Sequence, residues 1–430
     1  MRPASSRRAL PAAASLRPLR NAAGVSEERI RADVDELCDF AGRLAGTDAE
    51  RRACNHVAEK LRASGRSATV EPTYVQPQWA FVHLLTCALA VVGSTIADAQ
   101  PLAGFIVVLV AATSAYLDLS ARHYLIRRLP FRRASQNVHT LPAEIDGPTL
   151  IICANADAPR TGLVYARTGA AIANRLGRRF PVVSSGTRIW FWSIALLLPA
   201  LGARLAGFEP DWIGALQLPQ TLILIVACFL LGEIALSPAS PGANANASGV
   251  AGLLETLRRI DAEPPEHLRV EAVVAGAGET TMQGMRAFVR SNRARLAKDS
   301  TWFLSLEEIG RGGPRFVVSQ GPAVSLPMDR GLSGLFDALA EENEDGDERR
   351  AEPMRDGRTS AAFVARAYGY RALPLTSREP GRALPSHHHT PDDLPEEVDP
   401  GAIAAVADMA ADAIRLLDRD LGRAAKADED

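Results

Sequence analysis

Thr149-Leu-Ile-Ile-Cys-Ala-Asn-Ala-Asp157 is a short continuous apolar run that stops at Asn155. Such a run, without polar alternation, reads as a strand buried on both faces of a mainly parallel sheet. Strands and helices alternate around it. Gly249 to Ile260 has helical spacing, Val270 to Ala275 is strand-like, Ala287 to Ala297 is helical, and Trp302 to Leu306 is again an apolar run. Upstream, Ile30, Val34, Leu37, Phe40 and Leu44, then Ala53, Val57 and Leu61, predict two amphipathic helices joined at Gly46-Thr47, with Ala68 to Val75 as a following strand. The alternation predicts an α/β fold, a mixed, mostly parallel sheet with helices on both faces. In such sheets sites lie at the carboxyl ends of the strands.

Four apolar segments interrupt this pattern. Trp79 to Ala97 and Pro101 to Leu117 are each long enough to cross a hydrocarbon core, and Asp98-Ala-Gln100 makes a tight hairpin between them. Ile189 to Ala203, which contains Pro199, and Trp212 to Leu231 form a second pair, with Trp190, Trp192 and Trp212 near their ends, as in interfacial belts. Buried core helices are the competing reading, but these segments lack the polar face that such helices usually keep. Two hairpins return the chain to its starting side, so one soluble domain can be assembled around them. Arg122, Arg127, Arg128, Arg132 and Arg133 follow the second segment, and Arg175, Arg178, Arg179 and Arg188 precede the third. Asp98, Arg204, Glu209 and Asp211 lie at the opposite ends. The positive-inside rule then predicts a multi-pass membrane protein whose soluble domain is cytoplasmic.

The expected organisation is a disordered basic tail (1–24), a first piece of the soluble domain (25–78), a transmembrane hairpin (79–118), a second piece with a basic juxtamembrane segment (119–188), another hairpin (189–236), the C-terminal piece (237–420) and a tail (421–430). Residues 1–24 lack the apolar stretch of a secretory signal; an organellar transit peptide has a similar composition. The acidic run from Glu341 to Arg350 reads as a solvated loop. With 48 Lys+Arg against 50 Asp+Glu in 430 residues, no global field favours nucleic acid. The five cysteines include no CxxC pair, so neither a disulfide framework nor a cysteine zinc site is indicated. No Gly-x-Ser-x-Gly elbow follows a strand, which argues against a serine hydrolase.

A series of short motifs outside the apolar segments carries a family resemblance: Arg43-Leu-Ala-Gly-Thr47, Asn137-Val-His, the strand from Thr149, Pro241-Gly-Ala-Asn-Ala-Asn-Ala-Ser-Gly249, Gly276-Ala-Gly-Glu279 with Gly284, Leu304-Ser-Leu-Glu-Glu-Ile-Gly310 and His388-His-Thr-Pro-Asp-Asp393. In this order they resemble the bacterial leucyl aminopeptidase-like zinc exopeptidases, whose relatives include glutaminyl cyclases, glutamate carboxypeptidases and the transferrin receptor ectodomain. The resemblance implies a site with two zinc ions, a bridging Asp and a Glu acting as general base. The family's His-x-Asp corresponds to Asn155-Ala-Asp157, which loses the imidazole and keeps the supporting carboxylate. Its bridging Asp falls on Asn244 and the next Asp on Ala245. The general base falls on Gly278, beside the retained ligand Glu279. Glu307 stands for a ligand Asp, and His389 for the last His.

By this resemblance Glu279, His389 and Glu307 are vestigial metal ligands around a pocket with Asn155, Asp157 and Asn244, and no catalytic residue is expected. No cofactor is expected; the alternative is one zinc on Glu279 and His389, completed by Asn244 or water. His387 to His389 can equally be a polar loop, Ser248 a helix cap, and Asn244 and Asn246 turn residues. The preferred function is a membrane-integrated, non-catalytic binding or scaffold protein. A membrane metallopeptidase or amidohydrolase with relocated ligands such as Asp157, Glu308, His387 or His388 is the alternative. Expected partners are membrane lipid and a protein or peptide.

Overall fold

The computed structural model describes residues 16–141, 147–179, 185–208, 211–342 and 350–429. The chain opens with α1 (Leu16–Cys38) and α2 (Asp48–Ala63), then β1 (Ala68–Val75), α3 (Trp79–Ile96), α4 (Pro101–Leu119), β2 (Arg133–Thr140), β3 (Thr149–Asn155) and α5 (Arg167–Arg179). It continues through α6 (Gly186–Leu205), α7 (Asp211–Leu236), α8 (Ser248–Ala262), β4 (Arg269–Ala275), α9 (Gln283–Ser291) and β5 (Thr301–Leu306). The last elements are β6 (Gly313–Gln320), β7 (Leu326–Pro327), α10 (Arg330–Glu342), β8 (Glu352–Asp356), α11 (Ala361–Ala367), β9 (Arg371–Arg378) and α12 (Pro400–Glu429).

The nine strands form one mixed sheet in the order β1-β2-β4-β3-β5-β9-β6-β7, with β8 paired to β6. Its centre, β4-β3-β5-β9, is parallel, and antiparallel strands flank it. Every residue of β3 and β5 is buried, so both faces of the centre are covered, as the unbroken apolar runs require. Helices α1, α8, α10 and α12 pack together as one group, while α9 and α11 pack on each other and α2 lies against β1 and β2. Glycine permits the closest approach: a Cβ on Gly249 would sit 2.3 Å from Leu306 O, so α8 starts hard against β5.

The expected elements recur with shifted ends. Helix α2 is capped by Thr47, whose Oγ1 accepts from Glu50 N at 3.2 Å. The helix expected over Ala287 to Ala297 runs instead from Gln283 to Ser291. There Asn292 Nδ2 bonds Phe288 O at 3.0 Å, a local alternative to another helical turn. Helix α1 begins at Leu16, inside the expected disordered tail, and α12 continues through the expected 421–430 tail to Glu429. Residues 1–15 and most of the acidic run, 343–349, lie outside the described residues.

Helices α3, α4, α6 and α7 form a separate bundle with its own apolar core around Ala90, Val108, Ile194, Leu197 and Leu224. All four are long and apolar enough to cross a membrane. Their polar groups turn inward: Ser94 Oγ and Thr221 Oγ1 are 2.7 Å apart, and Gln217 Nε2 bonds Ser94 O at 2.8 Å. Leu218, Leu222, Val226 and Phe229 on α7 are instead exposed. At the hairpin ends remote from the sheet, Arg204 pairs with Asp98. The ends joined to the sheet domain hold a buried cluster, in which Arg127 Nε donates to Asp118 Oδ1 at 2.8 Å and His83 Nε2 lies 3.1 Å from Asp118 Oδ2. Of the arginines read as a basic flank, Arg127 is therefore internal, as is Arg188, which donates to Gly321 O at 2.7 Å. The side chains of Arg178 and Arg179, and that of Asp211, lie outside the described residues, as does Glu209.

Candidate functional site

The carboxyl ends of the parallel strands converge as their positions in the sheet require. Asn155 ends β3, Gly278 and Glu279 follow β4, Glu307 and Glu308 follow β5, and His388 and His389 lie on the loop after β9. Backbone geometry is unusual here: Glu308, His387 and His389 have φ of 54°, 58° and 53°. Left-handed conformations at such residues are unfavourable and persist only where their surroundings enforce them. The buried Arg43 binds three segments together, donating to Leu37 O at 3.1 Å, Ala156 O at 3.2 Å and Gly242 O at 2.9 Å. This gives the Arg43 motif a structural task.

Asp157 is completely occupied by the opposing loop. Its Oδ1 accepts from Gly278 N at 2.7 Å and its Oδ2 from Glu279 N at 3.0 Å. Burial pushes its carboxyl up to about 6 despite those donors. Glu50 stands behind the same loop and accepts from Gly46 N, Ala277 N and Ser135 Oγ. Burial, with the nearby Asp157 charge, raises Glu50 to about 8. These two carboxyls support the backbone around the site without lining it.

Residues Ala243–Ala247 form a wide π turn before α8, held by the Asp393 carboxylate, which accepts from Asn244 N at 2.8 Å and Ala245 N at 3.1 Å. The turn directs Asn244 away from the site, where its Oδ1 accepts from Gly310 N at 2.8 Å. Ala245 and Asn246 face the cavity instead. The placement of Asn244 and Asp157 in the pocket thus needs correcting: both are buried beside it, but neither is among its lining residues. The one-residue difference between Asn244 and Ala245 is decided by the turn, which a motif cannot reveal.

Glu279 and His389 do meet, with Glu279 Oε2 3.6 Å from His389 Nε2. Asn246 Nδ2 donates to Glu279 Oε1 at 2.8 Å. Glu307 accepts from Ala361 N at 2.8 Å. Burial pushes both Glu279 and Glu307 up to about 8. Glu308 has the opposite environment: Arg358 Nη1 reaches both of its oxygens at 2.7 Å and Arg378 Nη2 lies 3.0 Å away. Burial alone would raise it, but Arg358, His388 and Arg378 hold it well below the usual carboxylate range. His388 Nδ1 is 2.7 Å from Glu308 Oε1, in close contact but off the hydrogen-bonding direction. His388 and His389 stack at 3.8 Å, and Tyr165 meets His389 edge-on at 4.8 Å. Burial keeps both imidazoles below their ordinary pKa. Donor atoms of Glu308, His388 and His389 lie within 4.8 Å of one another. His387 is more exposed and lies 3.8 Å from Glu397.

At Gly278, the residue that the resemblance aligns with a general base, an added Cβ would lie 2.5 Å from Asn155 Cγ and 2.6 Å from its Oδ1. The Asn155 amide thus occupies the space into which a longer side chain at 278 would grow. Asn155 Oδ1 has no hydrogen-bond partner among the described residues. The donor set does not fit a zinc pair: amides stand at Asn155 and Asn244 and an alanine at Ala245, where the resemblance calls for an imidazole and carboxylates.

The site opens into a cavity of about 280 Å³. One end is lined by Glu279, Glu307, Arg358, His388 and His389, and the other by Trp79, His83, Trp190, Leu231 and Ile234 of the apolar bundle. Arg358, Asn246, Tyr165 and the bundle residues line this cavity without any sequence pattern that marks them as site residues. Asn246 lay within a quoted motif, whereas Tyr165 and Arg358 belong to no local pattern.

Residues 231–414 match Peptidase family M28. The M28 resemblance expected from the motifs therefore stands, at a distance. A leucine aminopeptidase precursor from Bacteroides thetaiotaomicron is 14% identical, with 90% of this chain and 96% of that one covered and a TM-score of 0.51. The glutaminyl cyclase of Tannerella forsythia is also 14% identical, covering 90% of this chain and 98% of its own, with a TM-score of 0.51. An aminopeptidase from Aneurinibacillus sp. strain AM-1 is 12% identical, with 90% and 93% covered and a TM-score of 0.52. At such identities the likeness establishes the M28 zinc-exopeptidase fold. No curated protein sequence matches the chain.

Proposed function

We propose that this chain is a membrane-integrated M28-type protein whose degenerate site binds a ligand without hydrolysing it. The observation that carries the non-catalytic reading is Asn155 packed against Gly278 in the place of the general base. Loss of such a base alone removes a contribution of about 10²- to 10⁴-fold. The missing bridging carboxylate removes the charge that holds paired cations.

Membrane integration is supported by the inverted distribution of polarity in the bundle. Gln217, Ser94 and Thr221 are inside, while Leu218, Leu222, Val226 and Phe229 face outward. In water each exposed side chain of that size forgoes about 1.5 to 3 kcal/mol of burial. In lipid the same distribution is favourable. The exposed Arg122, Arg128, Arg132 and Arg133 support a cytoplasmic sheet domain.

Metal analysis and amino-acid release from aminoacyl test substrates check the first claim. Chelator-free protein should lack a stoichiometric zinc pair and release nothing; two zincs lost in a Glu279→Ala His389→Ala variant would overturn it. Cleavage near Glu341 in inverted vesicles but not in intact cells is the orientation expected. A second reading is a single-metal hydrolase, favoured by the clustering of Glu308, His388 and His389. One zinc lost in His388→Ala, together with hydrolysis, would establish it.

A further inference from the structure

The cavity is chemically two-ended. In its polar half the charge of Arg358 is used by Glu308 and Asp356. Among the described residues no lysine or arginine is paired with Glu279 or Glu307. Glu279 and Glu307 are therefore the acidic groups of this half left without a cationic side chain, and a cation placed between them would draw them into the ionised form. The apolar half is built from the sheet-proximal ends of α3, α6 and α7, through Trp79, Trp190, Ala227, Leu231 and Ile234. Ala227 lies nine residues before the end of α7 at Leu236, so this half reaches about 13 Å down that helix. Within the apolar half, packed between the Trp79 and Trp190 rings, stands His83, whose side chain is 4% exposed and whose Nδ1 has no partner among the described residues. A buried polar atom of this kind lacks a hydrogen-bond partner that a ligand can provide.

We infer that the cavity receives a single-chain amphiphile with an ammonium head, drawn from the membrane, its head at Glu279 and Glu307 and its chain between α3, α6 and α7. The inference rests on the membrane-integrated binding reading and names the ligand class of that site. An anionic head is disfavoured because it would meet two carboxyl groups in a low-dielectric pocket. A short amine forgoes the apolar half. A hydroxyl or amide carried at the level of Trp79 and Trp190 would satisfy His83 Nδ1.

The test is thermal unfolding of the full chain in dodecyl maltoside, with octadecylamine, octadecanoic acid and octylamine as probes. At a hundredfold excess over its Kd, octadecylamine should raise the Tm by about 3 °C. The acid and the short amine should raise it little. Ala227→Trp, which fills the apolar half, should abolish the shift, whereas Leu222→Trp on the outward face should retain it. If Ala227→Trp does not fold, Ile234→Trp replaces it. A Glu279→Gln Glu307→Gln variant should lose the preference for amine over acid. Equal stabilisation by octadecanoic acid overturns the head assignment, and a full shift in the cavity-filling variants overturns the placement of the chain. Alkaline carbonate extraction separates the two levels: release from membranes sinks the membrane reading, whereas retention without an amine response sinks this inference alone.

Discussion

The side chain of Asn155 occupies the space beside Gly278, with its Cγ 2.5 Å from where a Cβ would stand. Asn155 ends β3 and Gly278 lies on the loop after β4, two strands paired in register up to Asn155 and Ala275. The two positions therefore share one packing space. Gly278→Ala should destabilise the protein by about 1 to 3 kcal/mol through overpacking. Adding Asn155→Gly should recover most of it, giving a coupling of more than about 0.5 kcal/mol in a double-mutant cycle followed by denaturant unfolding in detergent.

Restoring a zinc pair depends on the turn before α8. Asn155→His with Asn244→Asp and Gly278→Glu should gain no stoichiometric zinc, because residue 244 is directed at Gly310 N. Asn155→His with Ala245→Asp puts the new carboxylate on the cavity-lining position and should raise zinc content toward one or more per chain. Elemental analysis after dialysis against chelator separates the outcomes. Zinc gained by the first set would show that the turn rearranges.

Much of this was legible in the sequence, for identifiable reasons. The strand at Thr149 is buried on both faces and so reads as an uninterrupted run, and the four apolar helices declare themselves by length. Motif order alone singles out Glu279 and His389, which lie 3.6 Å apart in the structure. What escaped was set by tertiary geometry. Asn244 and Ala245 are adjacent in sequence, and only a π turn tied to Asp393 decides which faces the cavity. Arg358 reaches Glu308 across 50 positions, and Trp79 reaches the site through a bundle whose packing no local pattern encodes.

The hairpin of α3 and α4 depends on small residues. A Cβ on Gly104 would meet Ala97 Cβ at 2.5 Å and Gly93 O at 2.6 Å. Close backbone approach of this kind is how apolar helices gain contact when lipid is as apolar as their own side chains. Gly104→Leu should separate the pair and reduce the yield of folded protein in detergent, whereas Ile106→Leu, at an exposed position, should not. Size-exclusion profiles and melting curves check this; a monodisperse Gly104→Leu protein with unchanged Tm would refute the close crossing.

The Glu50 and Asp157 carboxyls give the fold a pH dependence of definite sign. Burial raises both, Glu50 to about 8 and Asp157 to about 6, so the folded state holds protons that the unfolded chain releases near pH 4. Stability rises with pH only where the unfolded state binds more protons; here it binds fewer. The contribution is therefore full below about pH 4 and is lost as pH rises through 6 and then 8. The Tm in detergent should fall between pH 5.5 and 9. Glu50→Gln should flatten the upper part of that slope. It should also lower stability at all pH values by about 1 to 3 kcal/mol, because an amide cannot accept from Gly46 N, Ala277 N and Ser135 Oγ at once without turning its own N–H toward a donor. A slope above pH 7 that is unchanged in Glu50→Gln would assign that titration to another group.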